Sequence, residues 1–315
     1  MDAAIKMSTR KAFGQSLLSL GDKNPSVVAL DADLSKSTFS YLFAQRYPKR
    51  FFEMGIAEAN MIGVASGMAL SGYIPFACSF SCFLTGRFDQ IKMSVAYSNA
   101  AVRLVGTHAG VGIGEDGYSQ QGLEDLALMR SLPTMQVFQP ADDIETDRMV
   151  HFLADSPRPA YLRLTRQDLL RVHDADFEFL PGKFSLLKLG KDIAVFATGG
   201  TVQHALLAAR ELMAQGIDVR VYNASSIKPI DEDAIFNAAS STKLLVSIED
   251  HSVLGGLGGA IAEVLSSKAN VPRLIRIGIL DDFGESGTPD ALYDKHGLSQ
   301  QKIAERLKAE WRAFQ

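Results

Sequence analysis

The chain has 315 residues, 47% of them hydrophobic and 22% charged, and a formal net charge of −4. That length suits two ordinary domains, and the interspersed charges leave no basic footprint for nucleic acid or an anionic membrane surface. Cys78 and Cys82 are the only cysteines, too few for a disulfide framework and half of a four-ligand zinc site, so both fit as small core hydrophobes.

The opening stretch, MDAAIKMSTRKAFGQ, has an acid at position 2 and no apolar run, so no secretory signal is expected. No later stretch approaches the roughly 18 uninterrupted apolar residues of a spanning helix, which predicts a cytoplasmic protein. Residues 8–20, STRKAFGQSLLSL, predict a first helix with Ser8 as N-cap, ended by Asn24-Pro25. In SVVALDADLSKS a β-branched run is followed at once by Asp31, Asp33, Ser35 and Ser37. This is a buried strand delivering a polar loop at its C-terminal end, where open parallel sheets bind ligands.

Residues 51–73, FFEMGIAEANMIGVASGMALSGY, plant one carboxylate, Glu58, at the mouth of a run of small apolar residues. A helix apolar on all sides is a core helix, packed closely on most sides, and glutamate is rarely buried there without a partner. Desolvation disfavours a charged carboxyl, so an acid in that setting can keep its proton and donate a hydrogen bond to a ring nitrogen. The alternative is a wet acid at a helix start, complementing the dipole.

PFACSFSCFLTGRF follows, with Phe80 and Phe83 able either to stack a planar heteroaromatic ring or to pack in the core. After the strand AVRLV comes THAGVGIGEDGYSQQ, with Gly112, Gly114 and Gly117 at the spacing of a dinucleotide fingerprint. That reading fails because Glu115 and Asp116 sit where a pyrophosphate would approach, and no helix opens at the third glycine. A glycine-rich loop bringing His108 and Asp116 to a small polyhydroxyl substrate fits better. His108, whose unperturbed pKa lies close to neutrality, can ligate phosphate or carry a proton, and Asp116 can accept a bond from a hydroxyl. Arg166, after the strand AYLRLT, and Arg10, in the first helix, are candidate phosphate forks.

Further strand-like runs at 73–76, 101–105, 135–138, 160–164, 193–197, 218–222, 244–248 and 274–279 alternate with helical stretches such as 121–131 and 202–215. The alternation predicts an α/β fold of two doubly wound domains with mainly parallel sheets. Residues 171–191 lack periodicity and carry Pro181-Gly182, which divides the chain into domains 1–185 and 186–315. GGLGG at 255–259 lacks the Lys-Ser/Thr of a phosphate loop and is assigned to close helix packing, with His251 as a structural histidine.

GIAEAN around Glu58, SFSCF, THAGVGIGEDGYSQQ, MRSLP at 129–133, QPAD at 139–142 and LTRQ at 164–167 together resemble the transketolase family, from about Ser8 to Leu170. The remainder looks like that family's C-terminal domain. The resemblance implies thiamine diphosphate as cofactor. Glu58 falls on the family's glutamate that hydrogen-bonds the aminopyrimidine; Phe80 and Phe83 fall on aromatics that hold that ring, and Asp33 and Leu34 on a loop bordering it. Arg10, Ser37, His108 and Arg166 match positions that bind the sugar phosphate, and Asp116 matches the residue that reads the hydroxyl beside the reacting carbonyl. Glu58 and His108 are the implied catalytic pair. Gln120 stands where many members have histidine, which unsettles the donor preference.

The family holds Mg²⁺ (or Ca²⁺) through a GDG segment and a downstream asparagine in an N-terminal domain, hard oxygen ligands suited to such ions. GDK at 21–23 and EDG at 115–117 are poor substitutes, so the metal is assigned to a partner chain. The expectation is therefore the C-terminal subunit of a split transketolase, moving a two-carbon ketol unit between sugar phosphates with a separate N-terminal, diphosphate-binding subunit in an α2β2 assembly. The alternatives are the β subunit of a 2-oxoacid dehydrogenase and a non-catalytic regulatory subunit of the same fold.

Overall fold

VVALD at Val27–Asp31 is buried at every position, as a strand covered on both faces must be. The computed structural model describes residues 5–315; residues 1–4, on which the expected lack of a leader partly rests, lie outside the described residues. In chain order the first strands are β1 (Lys6–Ser8), β2 (Val27–Asp31), β3 (Phe51–Glu53), β4 (Ile74–Phe80), β5 (Arg103–Thr107), β6 (Gln136–Phe138) and β7 (Ala160–Arg163). There follow β8 (Asp168–Leu170), β9 (Ser185–Lys188), β10 (Ile193–Ala197), β11 (Val219–Asn223), β12 (Ser226–Lys228), β13 (Leu244–Ser252) and β14 (Leu274–Ile279).

These strands form a sheet of order β12-β6-β7-β5-β4-β2-β3 and a second of order β14-β13-β10-β11-β9, with β1 and β8 as a separate ribbon. Pairing is parallel except for β1–β8, β11–β9 and β12–β6. The two-residue period of a strand sorts the first sheet's side chains onto two faces. Val28, Leu30, Ala77, Leu104 and Tyr161 meet Met61, Ile62 and Ala65 of the helix Glu58–Leu70. Val27, Ala29, Phe76, Cys78, Val105 and Leu162 meet Phe13 and Leu17 of the helix Thr9–Lys23 and Met149 and Val150 of the helix Asp143–Asp155. In the second sheet Val195, Val221 and Val246 pack against Val202 and Ala205 of the helix Thr201–Met213 and Leu307 of the helix Gln300–Phe314.

Several expectations shift. The helix expected over 121–131 begins only at Asp125, because the Gly122 carbonyl is engaged by the Gly110 amide at 3.0 Å and by Arg163 at 2.9 Å. Ser8 precedes the first helix, yet its side chain caps nothing; it sits in β1, whose partner β8 immediately precedes the supposedly irregular segment 171–191. That segment also contains the start of β9, which joins the second sheet. Least expected is β12, which returns to pair with β6 of the first sheet. The helix Glu58–Leu70 was expected to be enclosed on most sides; Ala59, Asn60, Gly67 and Leu70 are exposed, beside an 83% exposed Ile56. Among the described residues no helix is long and apolar enough to cross a membrane.

Candidate active site

β3, β2, β4, β5 and β7 run parallel and side by side, so the segments leaving their C-terminal ends share one edge. In open sheets that edge is the binding crevice. Glu58 follows β3, Asp33 and Leu34 follow β2, Phe80 ends β4, His108 follows β5 and Arg166 follows β7. Successive strands lie about 4.8 Å apart, so the row from Glu58 to Arg166 spans about 19 Å of sheet, the reach of an extended cofactor with a substrate attached.

At the first end, Glu58 opens its helix and is 5% exposed. Its carboxylate has no hydrogen-bond partner among the described residues. The neighbouring loop is shaped by Asp31, fully buried at the end of β2. Asp31 accepts bonds from the Leu34 amide at 2.7 Å, Thr38 Oγ1 at 2.7 Å and Ser40 Oγ at 2.8 Å. Burial pushes its carboxyl up to about 6, against those three donors. Asp33 turns through a left-handed backbone, φ 64°, and its amide donates to Glu53 Oε1 at 2.7 Å. Leu34 is half-buried beside it.

Phe80 lies between two rings. It stacks on Phe83 with centroids 5.6 Å apart and planes within 6°, and on the His108 imidazole at 3.8 Å. Phe80 is buried and Phe83 half-buried, so Phe83 is the more accessible of the pair. His108 departs from its unperturbed near-neutral pKa. Burial first, then the charges of Arg10 and Arg166, push its imidazole down to about 3. Arg10 Nη1, which can only donate, faces Nε2 at 3.4 Å. The ring proton is therefore assigned to Nδ1, donating to Thr107 Oγ1 at 2.9 Å.

At the other end Arg10 Nη1 donates to the Ser37 carbonyl at 2.7 Å and Arg10 Nε to the Arg166 carbonyl at 3.4 Å. Arg166 donates to the Ile113 carbonyl and to Glu115 Oε2 at 3.0 Å. Burial and the neighbouring Arg166 lower the Arg10 pKa. Two guanidinium groups held this close favour an anion between them. Ser37 engages Arg10 through its carbonyl; its hydroxyl makes no bond among the described residues. Asp116 is exposed and Gln120 half-buried, and neither side chain is bonded among the described residues. The structure thus gathers Arg10, Ser37, His108 and Arg166 and leaves the Asp116 and Gln120 side chains without a bond, among the described residues, on the turns of the glycine-rich loop. Glu115 rather than Asp116 meets Arg166, a pairing with no signature in the sequence.

Two buried acids of β13 were missed by sequence reading, and the first of them anchors this edge. Asp250 is buried under the glycine-rich turn and accepts from the Val111 and Gly112 amides. Glu249, likewise buried, accepts from the Leu257 and Gly258 amides at 2.7 and 2.8 Å, where the helix Leu257–Leu265 begins. The chain's own carboxylate thus fills that helix start, in keeping with GGLGG as a packing segment. Burial raises the Glu249 carboxyl to about 7. His251 is fully buried, pushed down to about 4 chiefly by burial, and bonded to the Ser252 carbonyl at 2.6 Å. Among the described residues no group of three or more His, Cys, Asp or Glu side chains is placed to hold a metal ion.

A buried carboxylate lacking a partner, beside an aromatic wall and in line with a pair of guanidiniums, suits a heterocycle at one end and an anion at the other. The edge is that of a cofactor-dependent group transferase. Residues 5–171 match the transketolase pyrimidine-binding domain and residues 182–303 the transketolase C-terminal domain. The chain is 44% identical over 311 residues to a putative transketolase C-terminal section of Methanocaldococcus jannaschii, covering 98% of each. It is 41% identical over 295 residues to the 6-deoxy-6-sulfo-D-fructose transketolase subunit SqwH of a Clostridium species, covering 93% of this chain and 91% of that one. A solved structure described as a split-gene transketolase, inactive beta4 tetramer, superposes with a TM-score of 0.90 at 44% identity, covering 98% of this chain and 100% of the other. Longer transketolases are matched over about half their length. The chain belongs to the transketolase family and is a transketolase subunit corresponding to the enzyme's C-terminal half. Membership implies thiamine diphosphate, and a partner chain and self-association are what the split relatives indicate.

Proposed function

We propose that this chain supplies the pyrimidine-binding half of a two-chain transketolase that moves a two-carbon ketol unit between sugar phosphates. A separate N-terminal, diphosphate-binding subunit carrying the Mg²⁺ (or Ca²⁺) ligands would complete each site in a cytoplasmic α2β2 assembly. The observation that carries this reading is Glu58, 5% exposed and without a hydrogen-bond partner among the described residues. Bound thiamine diphosphate supplies a nucleophilic thiazolium carbon, chemistry that belongs to the cofactor.

The chain's own residues then have separable tasks. Glu58 holds a proton at the aminopyrimidine ring nitrogen; Phe80 and Phe83 orient that ring, with Asp33 and Leu34 at its border. Arg10, Ser37 and Arg166 fix the substrate's far anionic group, which restricts orientation at the reacting end. His108 acts as a neutral imidazole toward a substrate hydroxyl or the anion, and Asp116 and Gln120 reach hydroxyls from the loop. The domain division at 185/186 belongs to this reading; it falls just inside β9, whose Ser185 already pairs with Asn223 of the second sheet, and β12 crosses back to the first. An arginine pair recognises phosphate and sulfonate alike, so the sulfosugar activity in one relative's name makes a sulfonated ketose the competing donor.

The exposed apolar face beside Glu58 is the surface we assign to the partner: Ile56 is 83% exposed, Leu70 66%, Met93 56% and Tyr97 83%. Such a patch marks an interaction site. The test is ketol transfer with thiamine diphosphate and Mg²⁺, by the purified chain alone and after mixing with the N-terminal subunit. Activity is expected only in the mixture, with ketose donors and not with 2-oxoacid decarboxylation. Full turnover by the chain alone would end the proposal.

A further inference from the structure

The glycine-rich turn Val111–Ile113 is held in place from the second sheet. Asp250, in β13, is 1% exposed. Its Oδ1 accepts from the Val111 amide at 2.8 Å and its Oδ2 from the Gly112 amide at 3.1 Å. Tyr293 donates its hydroxyl to Oδ2 at 3.0 Å and accepts from Gln167 Nε2 at 2.9 Å. The fit leaves no room for a Cβ at either glycine: one on Gly110, whose φ is 82°, would overlap the Asp250 carboxylate, and one on Gly112 would overlap the Gln167 amide.

Both paths out of this carboxylate end at Arg166. Through the turn, the Ile113 carbonyl receives the Arg166 guanidinium. Through Tyr293, the network reaches Gln167, the next residue in the chain. Only a carboxylate can accept both amides and the phenol; an asparagine would point an N–H donor at another donor, and the turn would have to move. We propose that Asp250 is a positioning residue, set in the C-terminal domain, that aims Arg166 at the anionic group of the sugar substrate. The inference rests on the reading above that Arg166 binds that anion.

The test uses the reconstituted two-subunit enzyme with two donors, fructose 6-phosphate and the unphosphorylated ketose L-erythrulose. Asp250→Asn is expected to raise KM for the phosphorylated donor about tenfold, the size of one hydrogen bond to a charged group. KM for erythrulose and kcat for both should stay within about twofold, a split that a general loosening of the fold would not produce. Arg166→Gln should raise the same KM, and adding Asp250→Asn to it should change nothing further, since the two act along one path. Independent, multiplying effects, or equal losses with both donors, overturn the inference. An Arg166→Gln variant with unchanged KM for fructose 6-phosphate instead overturns the functional reading on which it stands. If Asp250→Asn does not fold, Tyr293→Phe, which removes one donor from the same carboxylate, should shift the same KM in the same direction by a smaller factor; no shift counts against the proposal.

Discussion

Asp125→Asn isolates the worth of a charge in the interior. Asp125 and Arg163 are both fully buried, joined by Nε–Oδ2 at 2.7 Å and Nη2–Oδ1 at 3.0 Å. Tyr161 donates its hydroxyl to the same carboxylate at 2.7 Å. Removing one partner from a buried pair costs about 3–5 kcal/mol, because the other charge stays behind uncompensated. Two features place this site at the lower end. Asparagine keeps an oxygen for Tyr161, so that hydroxyl is not orphaned. Arg163 Nη2 also donates to the Gly122 and Asp250 carbonyls at 2.9 and 3.0 Å, which partly solvate the guanidinium. A loss of about 3 kcal/mol follows, a little over a hundredfold in the folding equilibrium.

Urea unfolding of the isolated chain, followed by far-ultraviolet circular dichroism and tryptophan fluorescence, reads this directly. Because Arg163 ties the first sheet to the Asp250 carbonyl in the second, both probes should shift together. The pH dependence gives an independent arm. Burial alone would raise the Asp125 carboxyl, but the charge and hydrogen bonds of Arg163 hold it below the usual range. Its contribution is therefore present above the unfolded value of about 4 and is lost as pH falls through the folded one. Wild type and variant should converge in stability in acid. A loss under about 1 kcal/mol at neutral pH would refute the claim that the guanidinium depends on this partner.

Glu58→Gln should leave the fold of the free chain intact and lower kcat of the reconstituted enzyme by about 10²- to 10⁴-fold; normal turnover would return the regulatory-subunit alternative. The His108 ring, held near 3, should show no titration by NMR between pH 5 and 8 in the free chain. Because its folded pKa lies below the unfolded value near 6.5, this group makes the chain less stable as pH falls from about 6.5 toward 3; a ring signal titrating near 6.5 would contradict that burial. Tyr97→Asp, on the exposed face, should weaken association with the N-terminal subunit at least about tenfold by analytical ultracentrifugation without changing the circular dichroism of the free chain. Unchanged affinity would remove that face from the interface.

Strand cores were legible where β-branched runs ended in polar loops, because strands buried on both faces need that composition. The loop after β2 and Arg166 after β7 were read as leaving strand C-terminal ends by the same reasoning, and in the fold the segments after β2, β4, β5 and β7 share one edge. What escaped notice depends on contacts distant in sequence. Ser226–Lys228 carries no sign that it pairs with Gln136–Phe138 rather than within its own sheet. Asp250, between Glu249 and His251, looks like a surface acid until the fold sets it under the Val111 amide. The lowering of the His108 pKa from its unperturbed value was hidden for a related reason: it comes from burial and from Arg10 and Arg166, which lie 98 and 58 positions away in the chain.

Glu58 shows why composition misjudged the helix Glu58–Leu70. Glycine and alanine there imply close neighbours on most sides; the core takes Met61, Ile62 and Ala65, while Ala59, Asn60, Gly67 and Leu70 are left exposed on an outer strip. The outer strip mixes the small Ala59 and Gly67 with Asn60 and Leu70. Glycines such as the exposed Gly67 cost a solvated helix stability without return, since glycine in a helix interior is worse than alanine by about 1 kcal/mol. They repay it where another backbone comes close. The Glu58 carboxylate at the head of the same helix has no hydrogen-bond partner among the described residues, and covering it without one would cost about 1–3 kcal/mol. Both costs fall away together if a second polypeptide packs on the outer face and a ring nitrogen meets Glu58. In the proposed reading, helix and acid are thus two signs of one condition, a site shared between chains.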